Sequence, residues 1–211
     1  MPKRLDIADH NFEDQFQEVL GVQREADVDV NETVAAILKD VAIRGDAAVV
    51  EYTNTFDRQN LTAADLAFDA DDLAEAEHKV EPDLLDALKL AADRIEAFHE
   101  RHLPDMEDFT DDVGVRLGYR WTAVQAAGLY VPGGLAAYPS SVLMNAIPAR
   151  VAGVERLVMV VPTPDGVINP LVLAAAKIAG VSEVYRIGGA QAIGALAYGT
   201  DTIKAVDKIV G

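Results

Sequence analysis

The chain has 211 residues, half of them hydrophobic, which is enough for one large domain or two small ones with a real core. It carries 35 acidic and 18 basic residues, a net charge of -17, and a surface of this sign repels nucleic acid. Cysteine is absent, which excludes disulfides, thiol nucleophiles and cysteine-based metal sites and fits a reducing cytoplasm. We therefore expect a cytoplasmic protein with no nucleic-acid partner. We also expect no membrane span, because charged residues interrupt the most hydrophobic third.

The acidic residues are scattered along the chain, and lysine is scarce. Salt screens the self-repulsion of such a surface, so we favour a halophile-like adaptation that keeps the protein soluble in a high-salt cytoplasm. A docking surface for a basic partner is the alternative.

The first part of the chain is predicted to be mainly helical. Hydrophobic residues at helical spacing predict a short amphipathic helix over 11–21. Asn31 is predicted to cap a second helix, which ends near Gly45, and Asp46 to cap a third. Pro82 opens a long predicted helix, because proline is favoured in the first turn.

A polar segment then leads to a predicted hairpin over 113–123, after which strands and helices alternate. The helix that starts at Ser141 contains Pro148, which is expected to kink or split it. Strands are predicted at 126–131, 157–161, 183–187 and 208–210, and helices from Ser141, Pro170 and Ala190.

The change of pattern near residue 125 predicts two domains. Residues 1–125 form a mainly helical N-terminal region, and residues 126–211 form a Rossmann-like domain. The βαβ alternation of the second part predicts an α/β fold, a parallel sheet with helices on both faces.

Two of the predicted strands end in glycine pairs, at the edge where open α/β sheets bind ligands. GLYVPGG places Tyr130 at the end of one strand, and VYRIGGAQAIG places Gln191 in the first turn of a helix, where amides favour an anion. Neither segment is the dinucleotide fingerprint or a phosphate loop. From spacing alone, a solvated turn residue is therefore favoured for Gln191. For Tyr130, a ligand contact and a position at the edge of the core are equally open.

The residues offer no complete catalytic or metal-binding group. His99 and His102 share a helix face, but they lie in H-E-R-H and have no evident third ligand, so a solvated helix end is favoured. Asp69, Asp71 and Asp72 lack the spacing of a calcium loop and are expected to cap the next helix. We assign no catalytic residue and no metal ligand.

Several longer phrases are distinctive: GLYVPGG, YPSSVLMNAIPARVAGV, NPLVLAAAKIAGV, VYRIGGAQAIGALAYGT and VDKIVG. Together with ILKDVAIRGDAAVVEYTNTFD upstream, they resemble the histidinol dehydrogenase family over about 37–211. The resemblance implies a cytoplasmic, zinc-containing oxidoreductase of histidine biosynthesis that oxidises L-histidinol to L-histidine in two NAD-dependent steps. It also implies a homodimer whose subunits exchange elements, and an aldehyde-dehydrogenase-like fold that is incomplete here.

By this resemblance Tyr130 and Gln191 contact NAD. The family's third NAD contact, an asparagine in a Gly-Pro-Gly-Asn continuation, falls beyond Gly211, as do its zinc ligands and its acid–base pair. The chain is therefore expected to be the amino-terminal half of the enzyme, with part of an NAD edge and neither zinc ligands nor catalytic residues. Leu135 stands where the family typically carries a small polar residue.

A non-catalytic truncated product, which at most binds nucleotide weakly or pairs with another subunit, is the alternative function. A different α/β enzyme would need its own base, and 128–211 contains no histidine or cysteine.

Overall fold

The computed structural model describes residues 4–133 and 138–211 and, within them, the side chains of all but residues 20–29. The helices in these ranges are α1 Phe12–Arg44, α2 Asp46–Asp57, α3 Ala70–His78, α4 Pro82–Glu100, α5 Pro139–Val151, α6 Pro170–Ala179 and α7 Gly189–Tyr198. The strands are β1 Ala67–Phe68, β2 Glu107–Thr110, β3 Arg116–Tyr119, β4 Ala126–Tyr130, β5 Arg156–Val160, β6 Glu183–Tyr185 and β7 Lys208–Val210. Short 3-10 helices lie at Ala63–Asp65 and Pro164–Gly166.

The main sheet has the order β1-β6-β5-β4-β7. Strands β4 to β7 are parallel, and β1 is antiparallel to β6 at one edge. The pairing of Tyr130 with Val160 and of Val160 with Tyr185 aligns the carboxyl ends of β4, β5 and β6. The predicted α/β fold with a parallel sheet is confirmed. The two-residue strand β1 was not predicted.

Each face of the sheet carries its own hydrophobic core, because alternate side chains of β4 and β5 point in opposite directions. Leu129, Leu157 and Met159 pack into one core with α3, α4, α5 and α6. Val158 and Val160 pack into the other with α1, α2 and α7. Helices therefore cover both faces, as predicted. Residues before and after position 125 share both cores, and the division into two domains there stays a prediction.

The two helices predicted over 11–44 are one continuous helix, α1, so the prediction that Asn31 caps a helix was wrong. Asn31 is exposed, and an asparagine inside an exposed stretch of helix costs less than about 1 kcal/mol relative to alanine. Asp46 does not cap α2, whose N-cap is Gly45. Its carboxylate instead accepts hydrogen bonds from the backbone N–H and the hydroxyl of Thr202, at 3.0 and 2.6 Å.

Three further predictions can be compared with the structure. Pro148 lies within α5, which starts at Pro139 and is not split there. The hairpin lies upstream of its predicted position and turns through 111–115 between β2 and β3. Asp69 caps α3 and accepts a hydrogen bond from the Asp72 N–H at 2.8 Å, which confirms the predicted role of this acidic cluster. None of the described helices is both long enough and apolar enough to cross a membrane.

Candidate functional site

The segments that follow β4, β5 and β6 meet at one end of the sheet, because the three strands are parallel and in register. We call residues 130–133, 161–166 and 186–191 the carboxyl edge. This edge contains both residues that the sequence singled out, Tyr130 and Gln191.

Tyr130 reaches across the edge to the start of α7. Its hydroxyl oxygen accepts a hydrogen bond from the backbone N–H of Gly189 at 3.0 Å. Because β5 lies between β4 and β6, this bond spans the central strand. Gly189 has a φ of 61°, a left-handed conformation that favours glycine, and it is exposed. Tyr130 therefore fixes the first residue of α7 at the surface of the edge.

Gln191 is buried under the same turn. Its side chain is 1% exposed, and its Oε1 has no hydrogen-bond partner. A Cβ placed on Gly189 would lie 2.7 Å from that oxygen, so the oxygen faces Gly189 closely. The interpretation of Gln191 as a solvated turn residue was wrong. A buried amide oxygen without a partner costs about 1–3 kcal/mol, which makes Gln191 a candidate ligand contact.

An open cavity of about 360 Å³ lies beside Tyr130 and Gly189. Val34 and Leu38 of α1 form one wall, and Ile193 of α7 forms another. The residues that line the cavity are Val34, Leu38, Tyr130, Gly189, Ala190 and Ile193. An apolar cavity beside a tyrosine ring and helix N-terminal amides suits a flat ligand that also carries polar groups.

Pro162, two residues after the end of β5, is packed between the glycines that follow the neighbouring strands. A Cβ on Gly133 would lie 2.2 Å from the Pro162 carbonyl oxygen, and a Cβ on Gly188 would lie 2.4 Å from the Pro162 Cβ. The three turns therefore interlock, and the two glycines are required by contact with Pro162.

The next residue, Thr163, is held by the end of α2. Its N–H donates to the Asp57 carboxylate at 2.9 Å, and the Gln59 amide donates to both its carbonyl and its hydroxyl oxygens at 2.7 Å. Asp57 is 7% exposed and Thr163 2%. Burial raises the pKa of Asp57, although the hydrogen bond from Thr163 opposes this effect. These residues were not predicted from the sequence, although the turn residues Pro162 to Gly166 after the apolar strand were a usable signal.

The histidine pair lies outside this site. His102 Nδ1 is 2.7 Å from the Phe98 carbonyl oxygen, and the rings of His99 and His102 are 6.4 Å apart. Among the described residues, no three His, Cys, Asp or Glu side chains come together as a metal site would require. Leu135 lies outside the described residues.

Comparison with known proteins identifies the family. The sequence profile of histidinol dehydrogenase matches residues 22–211. The chain belongs to the histidinol dehydrogenase family. Histidinol dehydrogenases from Rhodospirillum rubrum and Ruegeria pomeroyi are 63% and 62% identical to it over 211 residues. The crystal structure of histidinol dehydrogenase from Elizabethkingia anophelis matches with a TM-score of 0.82 at 34% identity, covering 86% of this chain and 42% of that one.

This member of the histidinol dehydrogenase family spans about half the length of the curated relatives that it matches, 49% in the two cases above. The family match includes the whole carboxyl edge and the α1 residues that line the cavity.

Proposed function

We propose that this chain provides part of the NAD-binding edge of a histidinol dehydrogenase, which oxidises L-histidinol to L-histidine with NAD. The observation that carries the proposal is the buried, unpartnered Oε1 of Gln191, beside the start of α7. Family membership supplies the class of ligand, and the contacts at the edge supply the means of binding it.

Three groups would hold the dinucleotide. The Gln191 oxygen offers an acceptor for a hydroxyl or amino group of the ligand, which would relieve its own lack of a partner. The backbone amides of Ala190 and Gln191, which follow the Gly189 amide that Tyr130 already binds, offer donors to a phosphate, because the first turn of a helix has no internal partners for them. The Tyr130 ring offers an apolar face at the cavity.

When bound, NAD accepts the hydride removed from the substrate. Within this chain, the apolar wall formed by Val34, Leu38 and Ile193 would keep water from one side of the ligand. Tyr130 would hold the α7 turn in place through its bond to Gly189.

The described residues do not fit a zinc ion, because no suitable group of side chains comes together. We derive no step through zinc. A zinc centre and a catalytic base would have to come from polypeptide other than the residues described here. Under the alternative function, the chain would bind nucleotide without catalysing a reaction. One observation favours this alternative: among the residues that the structure describes, no acidic or basic side chain lines the cavity.

Titration of the chain with NAD in a calorimeter tests the proposal. We expect saturable binding that Gln191→Leu weakens about three- to tenfold, the effect of losing one neutral hydrogen bond. Gln125→Leu is the matched control, because Gln125 is exposed just before β4, at the opposite end of that strand from Tyr130. The proposal fails if NAD does not bind, or if the two variants bind it equally well.

A second experiment separates the two candidate functions. The chain is mixed with the remaining part of the Rhodospirillum rubrum histidinol dehydrogenase, and NADH formation from histidinol is followed. We expect NADH only when both polypeptides are present. Binding of NAD without any NADH formation would favour the non-catalytic alternative.

A further inference from the structure

We propose that Asp57 is a positioning residue for the carboxyl edge: by holding Thr163 it fixes Pro162 between Gly133 and Gly188, and so sets the turn that presents Gly189 and Gln191. Its effect on ligand binding rests on the proposed NAD edge, whereas its effect on the turn stands on geometry alone.

The first step is the attachment of α2 to the segment that leaves β5. We call Asp57, Arg58 and Gln59 the α2 anchor. Asp57 accepts from the Thr163 N–H, and Gln59 donates to both oxygens of Thr163. Every backbone polar group of Thr163 is thus bound by the anchor. These three hydrogen bonds fix the position of Thr163 and restrict that of its neighbour Pro162.

The backbone is strained on both segments that meet here, at the end of α2 and after β5. Within the described ranges, only Arg58 and Asp165 combine a side chain with a left-handed φ, at 52° and 56°. Their side chains bind each other through two hydrogen bonds, of 2.7 and 2.5 Å. A strained conformation persists only where surrounding contacts determine it, and such strain clusters at functional sites. Here it occurs on the two segments that the anchor joins.

Pro162 links the position of Thr163 to the candidate site. Pro162 has a rigid ring, and neither Gly133 nor Gly188 leaves room for a Cβ against it. A displacement of Pro162 must therefore displace Gly188, and with it Gly189. Gly189 makes the bond to Tyr130 and lies next to the Gln191 oxygen.

Stability alone does not account for the choice of an aspartate. A buried carboxylate is costly to ionise unless its partners compensate, and burial raises the pKa of Asp57. The carboxylate is, however, a strong acceptor for the single backbone N–H of Thr163, and this bond fixes the position of Thr163.

Amide hydrogen exchange on the whole chain tests the inference. In Asp57→Ala we expect the Thr163 amide to exchange at least about tenfold faster and the Gly189 amide several-fold faster, measured relative to Val158 in β5. Asp57→Asn retains a neutral acceptor and should restore most of the protection. The matched control is Asp108→Ala, which removes a carboxylate that pairs with Arg116 on the exposed hairpin. Thr163 and Gly189 should not change in it.

Equal acceleration at Thr163, Gly189 and Val158 would overturn the inference, because it would report general destabilisation. Unchanged exchange at Gly189 would also overturn it. If Asp57→Ala does not fold, Gln59→Ala removes the other arm of the anchor and must produce the same selective pattern. The affinity for NAD should fall in the variants that loosen Gly189. Failure of the unsubstituted chain to bind NAD would refute the proposed function, and the exchange result would still decide the role of Asp57.

Discussion

Replacing Gly188 with alanine tests the contact between Pro162 and the turn that follows β6. Gly188 has a φ of -141°, an extended conformation open to any residue, so the substitution changes contact and not backbone strain. The new methyl carbon would lie 2.4 Å from the Pro162 Cβ, 2.9 Å from its Cγ and 3.2 Å from its Cα.

Carbon atoms pack at about 3.5–4.0 Å, so the methyl group and Pro162 must separate by about 1 Å or more. The proline ring cannot rotate away, and the backbone has to move instead. Overpacking of this kind costs about 1–3 kcal/mol, partly offset by about 0.4–1 kcal/mol because alanine restricts the unfolded chain more than glycine does. We expect a net loss of about 1–2 kcal/mol, or about 2–8 °C in Tm for a chain of this size.

Urea denaturation followed by circular dichroism measures this loss. Gly128→Ala is the matched comparison, since its methyl group would meet side-chain methyl groups at longer distances, Leu196 Cδ1 at 2.9 Å and Val206 Cγ2 at 3.1 Å. We expect Gly188→Ala to be the more destabilised of the two. If Gly188→Ala is as stable as the unsubstituted chain, or more stable than Gly128→Ala, then Pro162 does not hold the turn as described.

Three further predictions follow from individual contacts. Leu196→Ala, at a fully buried position, should lower the free energy of unfolding by about 2–5 kcal/mol, and a loss below about 1 kcal/mol in urea denaturation would contradict its place in the core. The bond from Arg156 lowers the pKa of Glu183, so Glu183→Gln should cost about 1–2 kcal/mol near neutral pH, the pair being partly solvated. This cost should shrink as the pH falls from about 4.3 through the lowered pKa of Glu183, because Glu183 becomes protonated and is then as neutral as the glutamine of the variant. An equal cost in urea denaturation near pH 7 and about pH 3 would refute the pairing of Glu183 with Arg156. Tyr130→Phe should raise the exchange rate of the Gly189 amide several-fold in NMR, and an unchanged rate would mean that the hydroxyl does not protect it.

The strands and helices after residue 125 were predictable because each carries a strong local signal. The buried parallel strands are continuous apolar runs, and prolines and glycines mark where their helices begin. The observed bounds of β4, β5 and β7 differ from the predicted ones by at most one residue at each end. Strand β1 carried no such signal, because two residues cannot show an alternation and its position depends on β6.

The helical region was harder to predict, because local preferences there compete with packing. Asn31 has the chemistry of a cap, yet α1 continues through it, since Ile37 and Val41 hold the helix against α7. The prolines of the second part of the chain also show that local preference and the observed structure can disagree. Pro139 and Pro170 start helices, as proline favours, whereas Pro148 lies inside a helix, directly after the buried residues Ala146 and Ile147.

Only some residues of the candidate site could be predicted from the sequence. Tyr130 and Gln191 could be found because they stand next to glycine pairs, but the burial of Gln191 could not be predicted from its neighbours in sequence. The burial of Gln191 depends on its contact with Gly189, which has a left-handed φ and no side chain on the side where the glutamine packs. Asp57 was beyond any local pattern, because its partner Thr163 is 106 residues away.

The arrangement of the carboxyl edge also indicates how its parts depend on one another. Tyr130 and Gln191 come from different βα units, and neither unit alone fixes the distance between them. Pro162, from a third unit between them, contacts the glycine turns of both. Since α2 holds the segment that contains Pro162, the candidate ligand contacts are set by an element far from them in sequence. An edge built this way loses its geometry when any one of the three turns moves, because Gly133 and Gly188 both lie too close to Pro162 to leave room for a Cβ.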